Sequence, residues 1–431
     1  MKEMGIGVLG FGAVGASVVE VLCRNSELIA KRINVRLVVR AVADVEIEGD
    51  SKVAIDSSIL KMDAEKIIAD PSVQIIVETI GGTRDAKELV MKALKAGKPV
   101  VTASKALLAK HGAELFKTAT DNNVELMYEA SVAGGIPVLA ALRKGLVAND
   151  IKGVYGILSG TCNYILTQME REEVSFAEAL AAAQELGFAE ADPSLDIDGV
   201  GTAHKAAIIG ALAYGYPIDI NDIYTHGISE VQPLDIVCAN ELGYRIKLLA
   251  TIEYRDGQSE ISVSPTLVPH GHPLAEIDGE YNAVMIDGDI VGETMYYGRG
   301  AGCLSIASAV LADIAELAAG LATNSPMRLP SFVNHDYYGQ LRIMGNVTAR
   351  YYMRVTLMNA PGVLSKVSAV MGENGIGIES AIQRGLAVGE MVPVIFLTQK
   401  ARVWNCLSAM MAIDMLEVVG GKTVCYRIAN F

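Results

Sequence analysis

The sequence predicts an α/β protein whose N-terminal part is a doubly wound parallel sheet. Short apolar runs alternate with segments of helical period, and a glycine-rich turn follows the first run. The runs are apolar on both faces, which is typical of parallel strands covered by helices on both sides. We therefore expect neighbouring strands at residues 5–10, 35–45, 74–79 and 99–102.

The segments between these strands have the periodicity of helices. Residues 13–31, 64–69 and 86–96 repeat apolar side chains at helical spacing. After Pro137 the pattern changes to longer amphipathic helices with a few strands, which indicates a second domain of the α+β type. An apolar helix at 306–321 is expected to pack back on the first domain.

The C-terminal part predicts a separate small unit. Its segments in order are a strand at 351–357, a helix at 363–373, strands at 376–383 and 392–398, a helix at 401–413, and a closing segment at 416–428. This order is βαββαβ, the ferredoxin-like arrangement.

Composition restricts the possible partners. The chain has 431 residues and a formal net charge of −14, which favours two or three domains and disfavours nucleic acid or an anionic membrane as a partner. The sequence suggests no apolar run long enough to span a bilayer and no signal peptide, so the expected location is the cytoplasm. The six cysteines are scattered without metal-ligand spacing and are expected to be reduced: Cys23, Cys162, Cys238, Cys303, Cys406 and Cys425.

A dinucleotide-binding motif lies at the first strand-to-helix junction. The residues are Gly10, Phe11, Gly12, Ala13, Val14 and Gly15, in the pattern G-x-G-x-x-G. The first glycine permits a tight turn, the second lets a pyrophosphate approach the backbone, and the third lets the helix pack closely on the sheet. An ordinary turn is the alternative, but the position favours a nicotinamide cofactor.

The end of the second strand bears on the choice of cofactor. Asp44 is positioned to accept a hydrogen bond from a ribose 2′-hydroxyl and to repel a 2′-phosphate, and Glu46 and Glu48 add negative charge. We therefore expect the enzyme to prefer NAD to NADP, or at least to accept NAD. Arg40 is the residue most able to reverse this preference.

Two lysines occupy positions suited to chemistry. Lys105 follows the strand 99–102 at its carboxyl end, where ligands gather in open α/β folds. Lys205 lies in an otherwise apolar helix, where a lysine at a helix edge with its amine in water is the ordinary alternative.

Six stretches, spread over nearly the whole chain, resemble homoserine dehydrogenases. They are residues 97–109, 129–137, 160–166, 187–205, 241–248 and 297–302. The family interconverts L-aspartate 4-semialdehyde and L-homoserine with NAD or NADP, in threonine, methionine and isoleucine biosynthesis. The resemblance implies the same activity here.

The resemblance also implies roles for individual residues. Lys205 would be the general acid towards the aldehyde oxygen, Lys105 would lie where nicotinamide and substrate meet, and Glu190 and Asp196 would bind substrate. These roles suit hydride transfer, because the aldehyde oxygen gains negative charge and needs a proton donor. Further cofactor contacts are implied for Thr79, Ser104 and Gly302.

Two positions depart from the family pattern. Gly201 stands where the family usually has an aspartate four residues before the lysine, so one helical turn lacks that carboxylate. Asp198 or Asp196 is the candidate to replace it. Ser104 stands where asparagine is more common, so the side chain available for one polar contact is shorter.

The segment 129–137 resembles the family's sodium site. Backbone carbonyls of Glu129, Val132, Gly134 and Ile136 would hold the ion, since hard oxygen ligands suit a hard cation. A glycine-rich hinge is the alternative. His270 and His272 have no nearby third ligand and are expected to belong to a polar loop.

The C-terminal unit resembles an ACT domain around its glycine turn. The resemblance implies a small amino acid, such as L-threonine, bound near a neighbouring subunit, with contacts from Asn359, Gly362, Val363, Leu364 and Ile376. Asn359 and Ala360 replace a common acidic residue of that family, so a dimerising module that binds no effector is the alternative.

The expected organisation has four parts. They are a nucleotide-binding Rossmann-type domain at 1–136 completed by 301–323, a catalytic and dimerisation domain at 137–300, a linker at 324–349 and the ACT domain at 350–431. A homodimer or homotetramer is expected. No kinase-sized region precedes the glycine turn, so a monofunctional enzyme is expected. Two alternatives remain, another amino-acid semialdehyde dehydrogenase and a catalytically weak nucleotide- and amino-acid-binding regulator.

Overall fold

The computed structural model describes residues 1–44, 57–61, 63–325, 329–336, 339–384 and 389–431. It divides into two compact units, each made of three stretches of the chain. Unit 1 comprises Met1–Gly153, His204–Asn221 and Asn282–Gly339, and unit 2 comprises Val154–Ala203, Asp222–Tyr281 and Gln340–Phe431. Glu46, Glu48 and part of the expected linker lie outside the described residues.

The strands are β1 (Lys2–Leu9), β2 (Val35–Ala43), β3 (Leu60–Lys61), β4 (Ile75–Glu78), β5 (Val100–Thr102), β6 (Leu126–Met127), β7 (Ile151–Ile157), β8 (Tyr224–Thr225), β9 (Tyr244–Arg255), β10 (Gln258–Pro269), β11 (Tyr281–Gly288), β12 (Gly292–Arg299), β13 (Thr348–Met358), β14 (Ile378–Gln383), β15 (Met391–Thr398), β16 (Ala401–Arg402) and β17 (Val424–Ile428).

The helices are α1 (Ala13–Arg24), α2 (Ser26–Ile33), α3 (Ala64–Ala69), α4 (Arg84–Lys95), α5 (Lys105–Asp121), α6 (Val138–Ala140), α7 (Gly160–Arg171), α8 (Phe176–Glu185), α9 (Ser194–Ile197), α10 (Val200–Tyr214), α11 (Pro233–Glu241), α12 (Cys303–Ala322), α13 (Val363–Glu373) and α14 (Val403–Asp414).

The N-terminal sheet is parallel, as the sequence predicts. Within the described residues its order is β3-β2-β1-β4-β5-β6. β2 and β3 lie on one side of β1, and β4 to β6 lie on the other, so the order of the strands reverses between β1 and β4. The strands are buried because helices cover both faces, which explains their almost uninterrupted apolar sequences. Ligands of such sheets bind at the carboxyl ends of the strands beside this reversal.

The predicted helix at 13–31 is wrong in one respect, because the structure has two helices there. α1 ends at Arg24, Asn25 caps it by donating its backbone N–H to the carbonyl of Val21, and α2 starts at Ser26. Asparagine favours helix ends because its short amide competes for backbone hydrogen bonds. The other predicted elements of this domain agree with the structure to within a few residues.

The apolar helix α12 packs on the N-terminal sheet. Its buried side chains, among them Val310, Ile314 and Leu317, belong to the same apolar core as Val8 of β1 and Leu22 of α1.

The length of α12 corrects the expectation that no apolar run could cross a membrane. Among the described residues, one helix, Cys303–Ala322, has the length and composition to do so. Asp313 and Glu316 interrupt its sequence, which is why the run is not evident. One face of the helix packs on the core of the N-terminal sheet.

The C-terminal segment forms the predicted βαββαβ order. Its strands are neighbours in the order β17-β13-β15-β14, with Val363 and Met371 of α13 and Cys406 and Ile413 of α14 packed into one core with this sheet. Within unit 2, β17 also pairs in parallel with β10, so this sheet continues into β10 and β9.

The opposite face of this C-terminal sheet packs on α11. Arg354 of β13 donates to the carboxylate of Asp235 at 2.7 Å, and the hydroxyl of Tyr352 donates to the same group at 2.9 Å. Asp235 is fully buried, so these donors compensate for the loss of its hydration. The C-terminal sheet is therefore covered on both faces within unit 2.

Candidate active site

The glycine turn has three distinct environments. Gly10 has φ +94°, and a Cβ there would lie 2.7 Å from the backbone nitrogen of Ile80. A Cβ on Gly15 would lie 2.0 Å from the carbonyl oxygen of Gly10, whereas one on Gly12 would meet nothing within 4 Å. The turn therefore packs tightly at both ends and is open in the middle, where a pyrophosphate would approach the start of α1.

The two strands beside β1 hold this turn. Asp44, just after β2, accepts a hydrogen bond from the backbone N–H of Phe11, and the N–H of Gly10 donates to the carbonyl of Ala43 at 2.8 Å. Thr79, just after β4, donates from its hydroxyl to the carbonyl of Gly10 at 2.8 Å. Ala13 and Val14 form the first turn of α1. The predicted cofactor residues on these elements thus meet at the reversal of the sheet.

A buried carboxylate that sequence reasoning missed connects the ends of β4 and β5. Glu78 accepts hydrogen bonds from the hydroxyls of Thr102 at 2.5 Å and Ser104 at 3.1 Å, and from the N–H groups of Ile80 and Gly81. Its side chain is fully buried. A lone acid ending an apolar strand is the signal that could have identified it. Through Glu78, Ser104 helps to fix the loop that leads to Lys105.

The two candidate catalytic lysines belong to helices that line a common cavity in unit 1. Lys105 is the first residue of α5 and Lys205 lies early in α10, and both side chains are half-buried. Leu108 of α5 and Ile208 of α10, each one turn after a lysine, line a cavity of about 370 Å³. The two lysine-bearing helices are therefore close together.

His204 provides an independent sign of this proximity. Burial, with smaller effects from the nearby charges of Lys105 and Lys110, lowers the pKa of His204 to about 4. The imidazole is therefore neutral near pH 7, and α10 lies within electrostatic range of Lys105. Gly201 is buried one turn before Lys205 in the same helix, so no carboxylate occupies that position.

The acidic segment before α10 folds into the short helix α9. Asp196 is half-buried and accepts a hydrogen bond from the hydroxyl of Thr161 at 3.2 Å, while Glu190 is exposed. Asp198 caps the carboxyl end of α9 and is exposed. Of the predicted substrate carboxylates, Asp196 is held in one orientation and Glu190 is in solvent.

A buried lysine, Lys247, is also absent from the sequence-based site. Its amine donates to the side-chain oxygen of Asn163 at 3.3 Å, to the carbonyl of Ile277, and to Asp278. Burial and the charge of Arg245 lower its pKa to about 8. These partners satisfy the hydrogen-bonding groups of the amine. We therefore assign Lys247 a structural role, in which it holds β9 against α7.

The predicted sodium turn is compact. Ala133 and Gly134 have φ values of +52° and +55°, and a Cβ on Gly134 would lie 2.5 Å from the carbonyl oxygen of Gly300. The carbonyls of Glu129 and Ile136 each accept one backbone hydrogen bond, from Val132 and Val138. Each carbonyl oxygen has two lone pairs, so these bonds leave room for a cation.

The side chain of Glu129 makes separate contacts. Its carboxylate accepts hydrogen bonds from the N–H groups of Leu139 and Ala140, while its own N–H donates to Asp313. Burial raises the pKa of Glu129 to about 7 and that of Asp313 to about 8. These carboxyl groups, which the sequence analysis did not single out as a pair, anchor the turn between β6 and α6.

Four of the predicted effector residues, Asn359, Gly362, Val363 and Leu364, lie at or just before the start of α13, whereas Ile376 follows its carboxyl end. Gly362 caps this helix with φ +84°, Val363 and Ile376 are buried, and Leu364 is 42% exposed. The side-chain amide of Gln383 donates to Asn359 at 2.9 Å. Gly302 similarly caps α12, with φ +100°.

The two histidines of the predicted polar loop, His270 and His272, contact protein side chains. The ring of His272 stacks on Phe431 with centroids 3.7 Å apart, and His270 contacts Asn240. No cluster of three acidic, histidine or cysteine side chains suited to a metal occurs in the described part of the chain. All six cysteines, each within that part, are free thiols, as expected.

Comparisons with known proteins agree with this geometry. The family model described as "Homoserine dehydrogenase, NAD binding domain" matches residues 10–129, and the model "Homoserine dehydrogenase" matches residues 137–315. The homoserine dehydrogenase of Neisseria gonorrhoeae is 40% identical, over 100% of this chain and 99% of that protein. The chain belongs to the homoserine dehydrogenase family.

Solved structures support the same assignment. A homoserine dehydrogenase from Thiobacillus denitrificans is 38% identical with a TM-score of 0.94, covering 100% of this chain and 99% of that one. A hyperthermophilic archaeal homoserine dehydrogenase in complex with NADPH is 27% identical with a TM-score of 0.63, over 73% of this chain and 97% of that one.

These findings confirm the predicted fold class and enzyme. The protein is a nicotinamide-dependent oxidoreductase that interconverts L-aspartate 4-semialdehyde and L-homoserine. The NAD-binding match covers the glycine turn and the strands from β2 to β6, so use of NAD or NADP follows. Neither alternative function, the related dehydrogenase or the silent regulator, is favoured.

Proposed function

We propose that Lys205 is the acid–base residue of this dehydrogenase and that Lys105 stabilises the reacting oxygen. In the reductive direction the bound reduced nicotinamide supplies a hydride to the aldehyde carbon. The aldehyde oxygen then takes a proton from the amine of Lys205, which yields the hydroxyl of homoserine. In the oxidative direction the same amine accepts that proton.

The observation that carries this proposal is the proximity of the two lysine-bearing helices. α5 and α10 line one cavity in unit 1, and the pKa of His204 responds to Lys105. Two half-buried lysine side chains on neighbouring helices would make the environment positive, which stabilises an oxygen that gains negative charge.

The residues that would bind the cofactor lie around the glycine turn after β1. Gly10, Gly12 and Gly15 would form the pyrophosphate cradle, and the open side of Gly12 fits a phosphate group. Asp44 would accept from the adenosine ribose hydroxyls, which favours NAD over NADP. Thr79, Ser104 and Gly302 would line the same crevice.

The substrate is a zwitterion, so it needs both charges matched. We assign its ammonium group to the carboxylates of Glu190 and Asp196. Asp196 is held by Thr161. The exposed Glu190 would bind after local rearrangement, since it is in solvent here.

Other parts of the proposal concern regulation and assembly. The carbonyls of Glu129, Val132, Gly134 and Ile136 would hold a sodium ion, and the turn at Gly362 would bind an amino-acid effector such as L-threonine. The proposal also includes assembly of the protein into a homodimer or homotetramer in the cytoplasm. An activity assay with and without added L-threonine, run in the presence and in the absence of sodium, tests both ligands.

The experiment for the central assignment is Lys205→Ala in a cofactor-absorbance assay with aspartate semialdehyde. We expect kcat to fall by about 10²–10⁴, the usual contribution of a general acid. Lys117→Ala is the control, because Lys117 lies on α5 but its side chain is exposed and paired with Asp121. Retention of wild-type kcat in Lys205→Ala, with cofactor binding intact in both variants, would remove Lys205 from the chemistry.

A further inference from the structure

A second cavity lies in unit 2, on the helical face of the C-terminal sheet. It has a volume of about 460 Å³ and is bounded by α14, by β13 and β17, and by parts of β8 and β10. We call it the α14 cavity. Its volume falls in the range of small-molecule sites.

The α14 cavity contains a buried hydroxyl with no hydrogen-bond partner among the described residues. Tyr351 of β13 lines the cavity, is 6% exposed, and its hydroxyl is unpaired. An unpaired buried hydroxyl destabilises the fold, so this group needs a partner, and a ligand in the cavity would supply one. Burial also raises the pKa of Tyr351, so the hydroxyl keeps its proton and can donate it to an acceptor.

A cation lies beside this hydroxyl. Arg427 of β17 is directly opposite Tyr351 across the strand pair, so both side chains project from the same face of the sheet. Arg427 is also part of the cavity wall and donates to Glu260 at 2.7 Å. A hydroxyl donor next to a guanidinium is the arrangement that binds a carboxylate.

One wall of the cavity is apolar. Val403, Leu407 and Met410 of α14 form it, and Trp404 and Met411, which are 56% and 66% exposed, lie at its opening. Methionine adapts to irregular apolar ligands, and the indole ring offers a flat apolar surface. This wall fits a large apolar group.

The formal charges of the residues that line the cavity cancel, while Glu260 and Glu253 contact Arg427 from outside the lining. Lys422 and Arg427 contribute two positive charges, and Glu230 and Asp414 contribute two negative charges. Lys422 pairs with Glu230 at 2.5 Å, and His226 lies 3.4 Å from the same carboxylate. A balanced rim disfavours ligands with a net charge and suits a neutral or zwitterionic one.

We propose that the α14 cavity binds a zwitterionic α-amino acid with a large apolar side chain. The ligand carboxylate accepts from the Tyr351 hydroxyl beside Arg427, its ammonium group faces the acidic side of the rim, and its side chain packs on α14. This site differs from the turn at Gly362. Tyr351 lies eight residues before Asn359 on the strand, roughly 26 Å away along its axis.

The chain provides its own probe for this proposal. Trp404 is its single tryptophan and lies at the cavity opening. We would titrate the full-length protein with L-phenylalanine and with L-norleucine and record tryptophan emission. We expect a saturable change with both amino acids and none with n-pentylamine, which keeps the norleucine chain and ammonium group but lacks the carboxylate.

Variants identify the contacts. Tyr351→Phe removes only the hydroxyl and should weaken binding about tenfold. Met411→Ala should also weaken it, whereas Met415→Ala is the matched control, since Met415 is 84% exposed just beyond α14 and does not line the cavity. Thermal unfolding of each variant verifies that it is folded.

Three results would overturn the proposal. They are the absence of any saturable change up to ~10 mM of either amino acid, a weak limit for a specific site; unchanged affinity in folded Tyr351→Phe; and equal binding of n-pentylamine. Because the readout is binding, failure of the assigned catalytic roles would leave these results unaffected, and the converse also holds.

Discussion

Two of the turns that join a strand to a helix through glycine, at Gly15 and at Gly362, need glycine for different reasons. In the turn from Gly10 to Gly15, an added Cβ on Gly15 would lie 2.0 Å from a backbone oxygen. At Gly362, which leads from β13 to α13, an added Cβ would meet nothing within 4 Å. Gly15 is therefore required for packing, whereas Gly362 is required only for its positive φ.

The difference reflects what surrounds each turn. Residues from the neighbouring strands, Asp44 and Thr79, bond to the backbone of the first turn. Before α13, Asn359 is bonded through its backbone to Glu390 and Gly389, but Gly362 itself is bonded within its own helix, for example through the hydroxyl of Ser365 to the carbonyl of Gly362. A turn fixed by distant strands can hold a cofactor in one geometry, which is what hydride transfer requires.

Among substitutions in these two turns, the largest effect is expected for Gly15→Ala. The new methyl group must displace the carbonyl of Gly10 or move α1 away from the sheet, and a shift of about 1 Å can cost about a hundredfold in rate. We expect kcat/KM for the cofactor to fall by about that factor. Steady-state kinetics provide the measurement, and circular dichroism tests whether the fold persists. A change of less than threefold would show that this contact is not needed.

Gly12→Ala should act on the cofactor alone. Its methyl group would point into open space, so the free protein should keep its stability. A bound pyrophosphate would approach that side, so we expect KM for the cofactor to rise about tenfold with little change in melting temperature. If the melting temperature fell as far as in Gly15→Ala, the two glycines would share one structural role.

Asp44→Ser tests the cofactor preference of the first turn. Removing the carboxylate should weaken NAD binding and relieve repulsion of a 2′-phosphate, so the ratio of kcat/KM for NAD to that for NADP should fall about tenfold. The ratio is measured with both cofactors on one preparation. An unchanged ratio would mean that another group, with Arg40 the first candidate, selects the cofactor.

The smallest effect is expected for Gly362→Ala. A non-glycine residue at φ +84° costs about 1 kcal/mol of backbone strain, with no steric overlap to add to it. Thermal unfolding should report this modest loss, and kcat without effector should be unchanged. A tenfold loss of basal kcat would contradict the distinction between the two turns.

The features predictable from the sequence are those encoded by neighbouring residues. The glycine turn, Asp44 at the end of β2 and the start of α13 depend on local spacing, and all three occur where the pattern predicts. The break at Asn25 was missed because apolar periodicity continues through it.

Features made by distant residues could not be predicted in this way. Glu78 becomes a site residue only when β4 and β5 bring Thr102 and Ser104 to it. The pairing of Glu129 with Asp313 joins residues far apart in the chain. The unpaired hydroxyl of Tyr351 is likewise a property of the packed cavity, because an isolated tyrosine in a strand carries no such information.

A crystal structure with oxidised cofactor and L-homoserine bound tests the catalytic assignment most directly. The distance to measure joins the Lys205 amine nitrogen and the homoserine hydroxyl oxygen. We predict about 3 Å, within hydrogen-bond reach of the proton that is transferred. An amine many ångströms away, with another titratable group in contact with that oxygen, would contradict the assignment of Lys205.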